Sequence, residues 1–127
     1  MSAPDTYIPG VCNIGPAERS KRNQIGWIGL AATAGLWLAF VWFDAAPVLR
    51  LLLFLPATTA AVGFLQAYMH FCAYFGFTAL FNFGPLGRAD TVEQAEFRRL
   101  DRQRAWRIVG YSAAIGAVVA ALGYALA

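Results

Sequence analysis

The chain has 127 residues, of which 59% are hydrophobic, 15% aromatic and only 13% charged, with a formal net charge of +3. A soluble domain carries about 25% charged residues, so the composition excludes an ordinary water-soluble globule and points to one membrane domain. Three of the ten Lys and Arg lie at 19–22 and six at 88–107, leaving only Arg50 elsewhere; this reads as positive-inside asymmetry and not as nucleic-acid binding, which needs a solvated basic face interleaved with stacking aromatics.

Residues 1–24 read as an inner, cytoplasmic N-terminal segment. Asn13 or Gly15 can cap a helix that opens on Pro16, with Glu18 in its first turn. Arg19, Lys21 and Arg22 then fall at the level of lipid headgroups. Residues 25–43 carry no charge and are long enough to span a bilayer. The span is too long for a cleavable signal peptide, and no small-residue cleavage site follows it. Cys12 precedes the apolar stretch, which also excludes a lipoprotein cysteine.

A turn at 44–47 leads to a second span, 48–69. Asp44 ends the first helix and Pro47 can open the next. Arg50 can snorkel to the outer interface. Pro56 predicts a kink, with Thr58 or Thr59 able to satisfy backbone groups that it frees. Apolar character continues through 70–84, but one helix from 48 to 83 would run about 54 Å against a core of about 30 Å. An aromatic helix at the inner interface resolves this, carrying Phe71, Tyr74, Phe75, Phe77, Phe81 and Phe83 and ending at the 82–85 turn.

Residues 85–107 read as a cytoplasmic loop and helix, capped by Asp90 or Thr91 with Gln94 as the capping-box partner. Val92, Phe97, Leu100 and Trp106 are its docking residues. The helix runs on into a third span, 108–126, without Gly or Pro at the junction. The expected fold class is therefore an all-α integral membrane protein. It has three transmembrane helices, an interfacial aromatic helix and a cytoplasmic helical extension of the third span. Lys and Arg placement puts the N-terminus and the 84–107 loop inside, and the 44–47 turn and C-terminus outside. The expected location is a bacterial-type inner membrane.

The pattern Asn13-x-Gly15-x-x-Glu18-Arg19-x-x-Arg22, then Gly26 and an apolar helix, resembles the opening of the small YgaP-type inner-membrane proteins. Gly63, Cys72, Tyr74 and Gly76 fall where that family has a cysteine and a short helix after its second span. The resemblance covers about residues 13–76 and implies a paired-helix membrane unit. This chain has Cys72-Ala73 where the family tends to have Cys-Pro, and the family pattern supplies neither a third span nor an Arg-rich arm.

Two side-chain groups are candidates for chemistry. Cys12, His70 and Cys72 should all lie at the inner end, where they would form a soft metal or thiol site. A structural disulfide is not expected in a reducing compartment, and a closed zinc site needs four ligands. Thr59, Gly63, Gln66, His70 and Tyr74 step along one helical face as a polar stripe. Gln66, His70 and Tyr74 would there contact a quinone, or His70 would ligate haem; the competing reading is hydrogen bonding between helices. The spans contain no carboxylate for a proton relay, and the chain has no phosphate loop or hydrolase motif.

The third span carries rows of small residues that permit close helix contact: Gly110, Ala113, Gly116, Ala117, Ala120 and Ala121. Arg98, Arg99, Arg102, Arg104 and Arg107 would meet anionic headgroups or a cytoplasmic partner. The leading expectation is a non-catalytic accessory or assembly subunit, packed against a larger membrane complex or against itself, with the bilayer as its other partner. The alternatives are a redox, metal or sulfur-handling protein using Cys12, His70 and Cys72, and a small oligomeric transporter.

Overall fold

A computed structural model describes residues 7–84, 86–87 and 89–126. Pro85 of the expected 82–85 turn and Arg88 of the expected basic loop lie outside the described residues. Three helical segments are long and apolar enough to cross a membrane: Pro16–Trp42, Pro47–Met69 and Ala95–Ala125.

Helix α1 (Pro16–Trp42) begins nine residues before the apolar stretch itself. Gly15 is its N-cap in extended conformation, Pro16 opens it and Glu18 lies in the first turn, as the residue types require. It ends at Trp42, and Asp44 turns the chain with φ 49°. A 3-10 segment (Pro47–Leu53) follows and passes into α2 (Phe54–Met69). Pro56 therefore falls in the first turn of α2, where a missing N–H costs nothing, so it marks a change of helix type and not a mid-helix kink. Thr59 donates to the Leu55 carbonyl at 2.9 Å. Arg50 does not snorkel outward: it is buried, donates from Nε to the Ala45 carbonyl at 3.3 Å, and lies over the Trp37 ring.

The aromatic stretch after α2 is not one helix. His70 takes the left-handed conformation, φ 56°, and stops α2. A six-residue helix α3 (Ala73–Thr78) follows, then β1 (Leu80–Phe81), paired antiparallel with β2 (Asp90–Thr91). Phe71 and Phe75 turn into the core, whereas Tyr74 and Phe77 are exposed. Asp90 and Thr91 do not cap the last helix, because they are committed to the ladder; Gln94 is the N-cap of α4 (Ala95–Ala125).

Helix α2 lies against α1 on one side and α4 on the other. Small residues set both approaches. A Cβ on Gly26 or Gly29 of α1 would strike Phe64 or the Ala60 backbone of α2. On α4 the inward row is Asp101, Ala105, Ile108, Ser112, Gly116, Ala120 and Gly123, a spacing of three and four that keeps one face turned to α2 and α3. A Cβ on Gly116 would collide with the Thr58 hydroxyl, and one on Gly123 with Leu53.

Candidate functional site

The polar residues of the fold concentrate at the end of the bundle where the N-terminal segment crosses it. Residues 7–15 form no helix. They run as a strap whose backbone is satisfied by distant loops: Asn13 N–H donates to the His70 carbonyl at 3.1 Å, Asn82 N–H to the Asn13 carbonyl at 2.9 Å, and Gly15 N–H to the Asn82 carbonyl at 2.8 Å. Buried backbone groups outside regular structure need such partners.

Side chains complete the knot. Asn13, fully buried, bonds the backbone of Cys72 twice: its Oδ1 accepts from the Cys72 N–H at 2.7 Å and its Nδ2 donates to the Cys72 carbonyl at 3.1 Å. Gln66 Oε1 accepts from the Ala73 N–H at 2.8 Å, satisfying the first turn of α3. Glu18 and Arg22 form a buried ion pair one helical turn apart. The second carboxylate oxygen of Glu18 accepts from Asn82 Nδ2 at 3.1 Å. Arg22 Nη2 also donates to Cys72 Sγ at 3.1 Å, and its guanidinium stands over the Phe75 ring. Arg22 is thus an internal tie and not a headgroup anchor. The strap's far end is held by Asp101 of α4, which accepts from the Tyr7 hydroxyl at 2.6 Å and the Gly10 N–H at 2.7 Å. Burial first, and then the hydrogen bond and charge of Asp101, push the Tyr7 phenol well above its ordinary 10.0, so it stays a donor. A pocket of about 310 Å³, lined in part by Glu18, Lys21, Arg22 and Asn82, opens beside this knot.

No family model, curated protein or solved structure matches the chain.

The residues singled out in the sequence divide clearly. Cys72 lies in the knot, and Cys12 is buried one residue before Asn13, its thiol pushed up chiefly by that burial. Among the described residues no three His, Cys, Asp or Glu side chains are grouped to hold a metal, so Cys12, His70 and Cys72 do not make a ligand set. The stripe from Thr59 to Tyr74 does not survive as one face, because the helix stops at Met69. Gln66 is internal, Thr59 is exposed, and Tyr74 stands on α3 at 65% exposure. Gln66, His70 and Tyr74 therefore do not lie along one helical face.

Of the remaining arginines, Arg99, Arg102 and Arg107 are exposed and Arg98 is half-buried, like Lys21 and Arg19 respectively at the other helix start. Arg98 donates from Nε to the Val92 carbonyl at 2.7 Å. Arg104 folds inward, donating to the Met69 carbonyl at 3.2 Å with its guanidinium over Phe71. Sequence reasoning passed over Asp101 and Tyr7. A signal existed for Asp101: stepping back by three and four from Gly116 reaches it through Ser112, Ile108 and Ala105.

His70 occupies the turn between α2 and α3. Burial, then the field of Arg19 from α1 and of Arg104 from α4, hold its imidazole below its ordinary 6.5. Folding thus favours the neutral ring. That contribution is present above pH 6.5 and is lost as pH falls through 6.5 toward the depressed folded value. Thermal melting in detergent should show the wild type losing more stability between pH 7 and 5 than His70→Gln; equal losses would show that the ring does not titrate unfavourably.

Proposed function

We propose that the protein is a small, non-catalytic membrane subunit that associates through the outer face of α4, with a second copy as the first partner to test. In this reading the knot is structural, fixing the strap and the inner ends of the three helices. The N-terminus and the first turns of α4 lie on the cytoplasmic side of a bacterial-type inner membrane, and the C-terminus lies outside. Tyr74 and Phe77 rest at the inner interface. The likeness to the YgaP-type membrane unit is consistent with this placement.

One observation carries the reading. Helix α4 has two small-residue rows, and its own bundle uses only one. At 3.6 residues per turn, Gly110, Ala114, Ala117, Ala121 and Ala125 fall on the side opposite Ser112, Gly116 and Ala120. All five are exposed, and a Cβ on Gly110 would meet nothing within 4 Å. Lipid tails do not drive helices together, so a row of small residues favours association by letting backbones approach. The exposed Arg99, Arg102 and Arg107 continue the helix toward anionic headgroups or a cytoplasmic surface.

Native mass spectrometry of the full chain released from lipid nanodiscs should show a defined oligomer. Ala117→Leu with Ala121→Leu should weaken that association by about 1 kcal/mol, roughly fivefold, while leaving the melting temperature of the protomer unchanged. A wild-type protein that stays monomeric across bilayer compositions, or a double variant that assembles as well as wild type, would remove this reading.

A further inference from the structure

Three nitrogen groups at the inner end are buried and lack a hydrogen-bond partner: Arg19 Nε, His70 Nδ1 and Arg104 Nε. They come from α1, from the turn after α2 and from α4, and they meet around that turn. Among the described residues no carboxylate forms an ion pair with them; the ion pair found there is Glu18 with Arg22. Two buried guanidinium nitrogens without partners call for an anion, and a neutral imidazole beside them can add a donor. Beside them, Arg19, Asn23, Phe64, Ala67 and Tyr68 line a pocket of about 490 Å³ between α1 and α2.

The pocket does not stand alone. Phe64 also lines an apolar groove of about 290 Å³, together with Leu30, Thr33, Ala57 and Ala60. That groove shares Leu30, Thr33 and Val119 with a third hollow of about 270 Å³ that reaches Trp37 and Leu53. Along α1 the lining positions Arg19, Asn23, Leu30, Thr33 and Trp37 fall on one helical face, with a gap of seven residues between Asn23 and Leu30. They therefore trace one stripe about 27 Å long, close to the ~30 Å thickness of a bilayer core. A cationic head pocket thus lies end to end with an apolar groove along α1, the Phe64 ring standing between them on Gly26.

We propose that this combined groove seats an anionic phospholipid, its phosphate on Arg19 and His70 and an acyl chain along Phe64, Leu30 and Ala57. A guanidinium offers a phosphate paired N–H donors, and an imidazole protonated on Nδ1 adds another. Arg104 contributes charge from the far side of the turn while its Nη2 holds the Met69 carbonyl. The charge selects an anion, and the oily continuation selects one that carries a hydrocarbon chain. Basic pockets between helices at the cytoplasmic face bind lipid headgroups on the same principle.

The test compares the full chain in phosphatidylglycerol bicelles, in phosphatidylcholine bicelles, and in neutral detergent with millimolar inorganic phosphate. Wild type should melt several degrees higher in phosphatidylglycerol than in phosphatidylcholine and keep one such lipid in native mass spectra. Arg19→Gln should lose most of both effects. Arg99→Gln, which removes an equal charge from an exposed site facing the headgroups at large, should still retain the one bound lipid in native mass spectra. Should Arg19→Gln destabilise the fold by itself, His70→Gln with lipid retention read by mass gives the same decision. Equal protection by inorganic phosphate would make the occupant a soluble phosphate and overturn the lipid assignment. An undiminished phosphatidylglycerol effect in Arg19→Gln and His70→Gln would overturn the site altogether.

Discussion

Arg22→Met is expected to destabilise the protein by about 3–5 kcal/mol, because it leaves the Glu18 carboxylate buried without its cation. Asn82 Nδ2 would remain as the neutral donor to that carboxylate, and the Cys72 thiol would lose the guanidinium at 3.1 Å. The cost belongs to the orphaned charge and not to the pair as such. Glu18→Gln with Arg22→Met should therefore recover a large share of the loss, because Gln carries no charge to desolvate. Arg22→Lys should recover little: an ammonium has no planar fork with which to reach the carboxylate and the sulfur together. Thermal and denaturant melting of the three variants in one detergent decides this. A single Arg22→Met variant within about 0.5 kcal/mol of wild type would mean that water reaches the pair.

Gly63→Val should be the most damaging substitution within the spans, at about 3 kcal/mol or more. A Cβ at Gly63 would lie 2.7 Å from the Arg22 carbonyl oxygen and 2.9 Å from Gly26 Cα. Both obstacles are backbone, so no side chain can swing aside, and α1 must leave α2. The same movement would pull Arg22 from Cys72, so the knot should loosen with it. Gly35 supplies the comparison: a Cβ there meets nothing within 4 Å. Gly35→Ala should be neutral or stabilising by up to ~1 kcal/mol, since Ala is the better helix former. Equal melting of the Gly63→Val and Gly35→Ala proteins would show that the α1–α2 contact does not hold the fold.

The spans and their order were legible in the sequence because their signal is local. The charge-free run 25–43 and the small-residue row through Gly116 and Ala120 each report on one helix and its solvent. Gly15-Pro16 likewise located the start of α1, since a cap and a first-turn proline act on neighbouring backbone. Local reasoning failed where one residue had two readings. Thr91 and Gln94 have capping-box spacing, yet Thr91 pairs with Leu80 across a ladder eleven residues away. The periodicity from Thr59 to Tyr74 presupposed a continuous helix, but His70 in the left-handed region ended it. Arg19 and Arg22 sit three residues apart on α1, and among the described residues only Arg22 pairs with a buried carboxylate.

What the sequence by itself determined was the solvent and the number of rods that face it. A chain with so few charges cannot satisfy water over its surface, and uninterrupted apolar runs near 20 residues match one bilayer. What only the tertiary structure decided was which polar groups are ties and which are open. Asn13 meets Cys72 across 59 positions and Tyr7 meets Asp101 across 94. A buried donor is satisfied by whatever the fold carries to within about 3 Å, and spacing along the chain does not encode that distance.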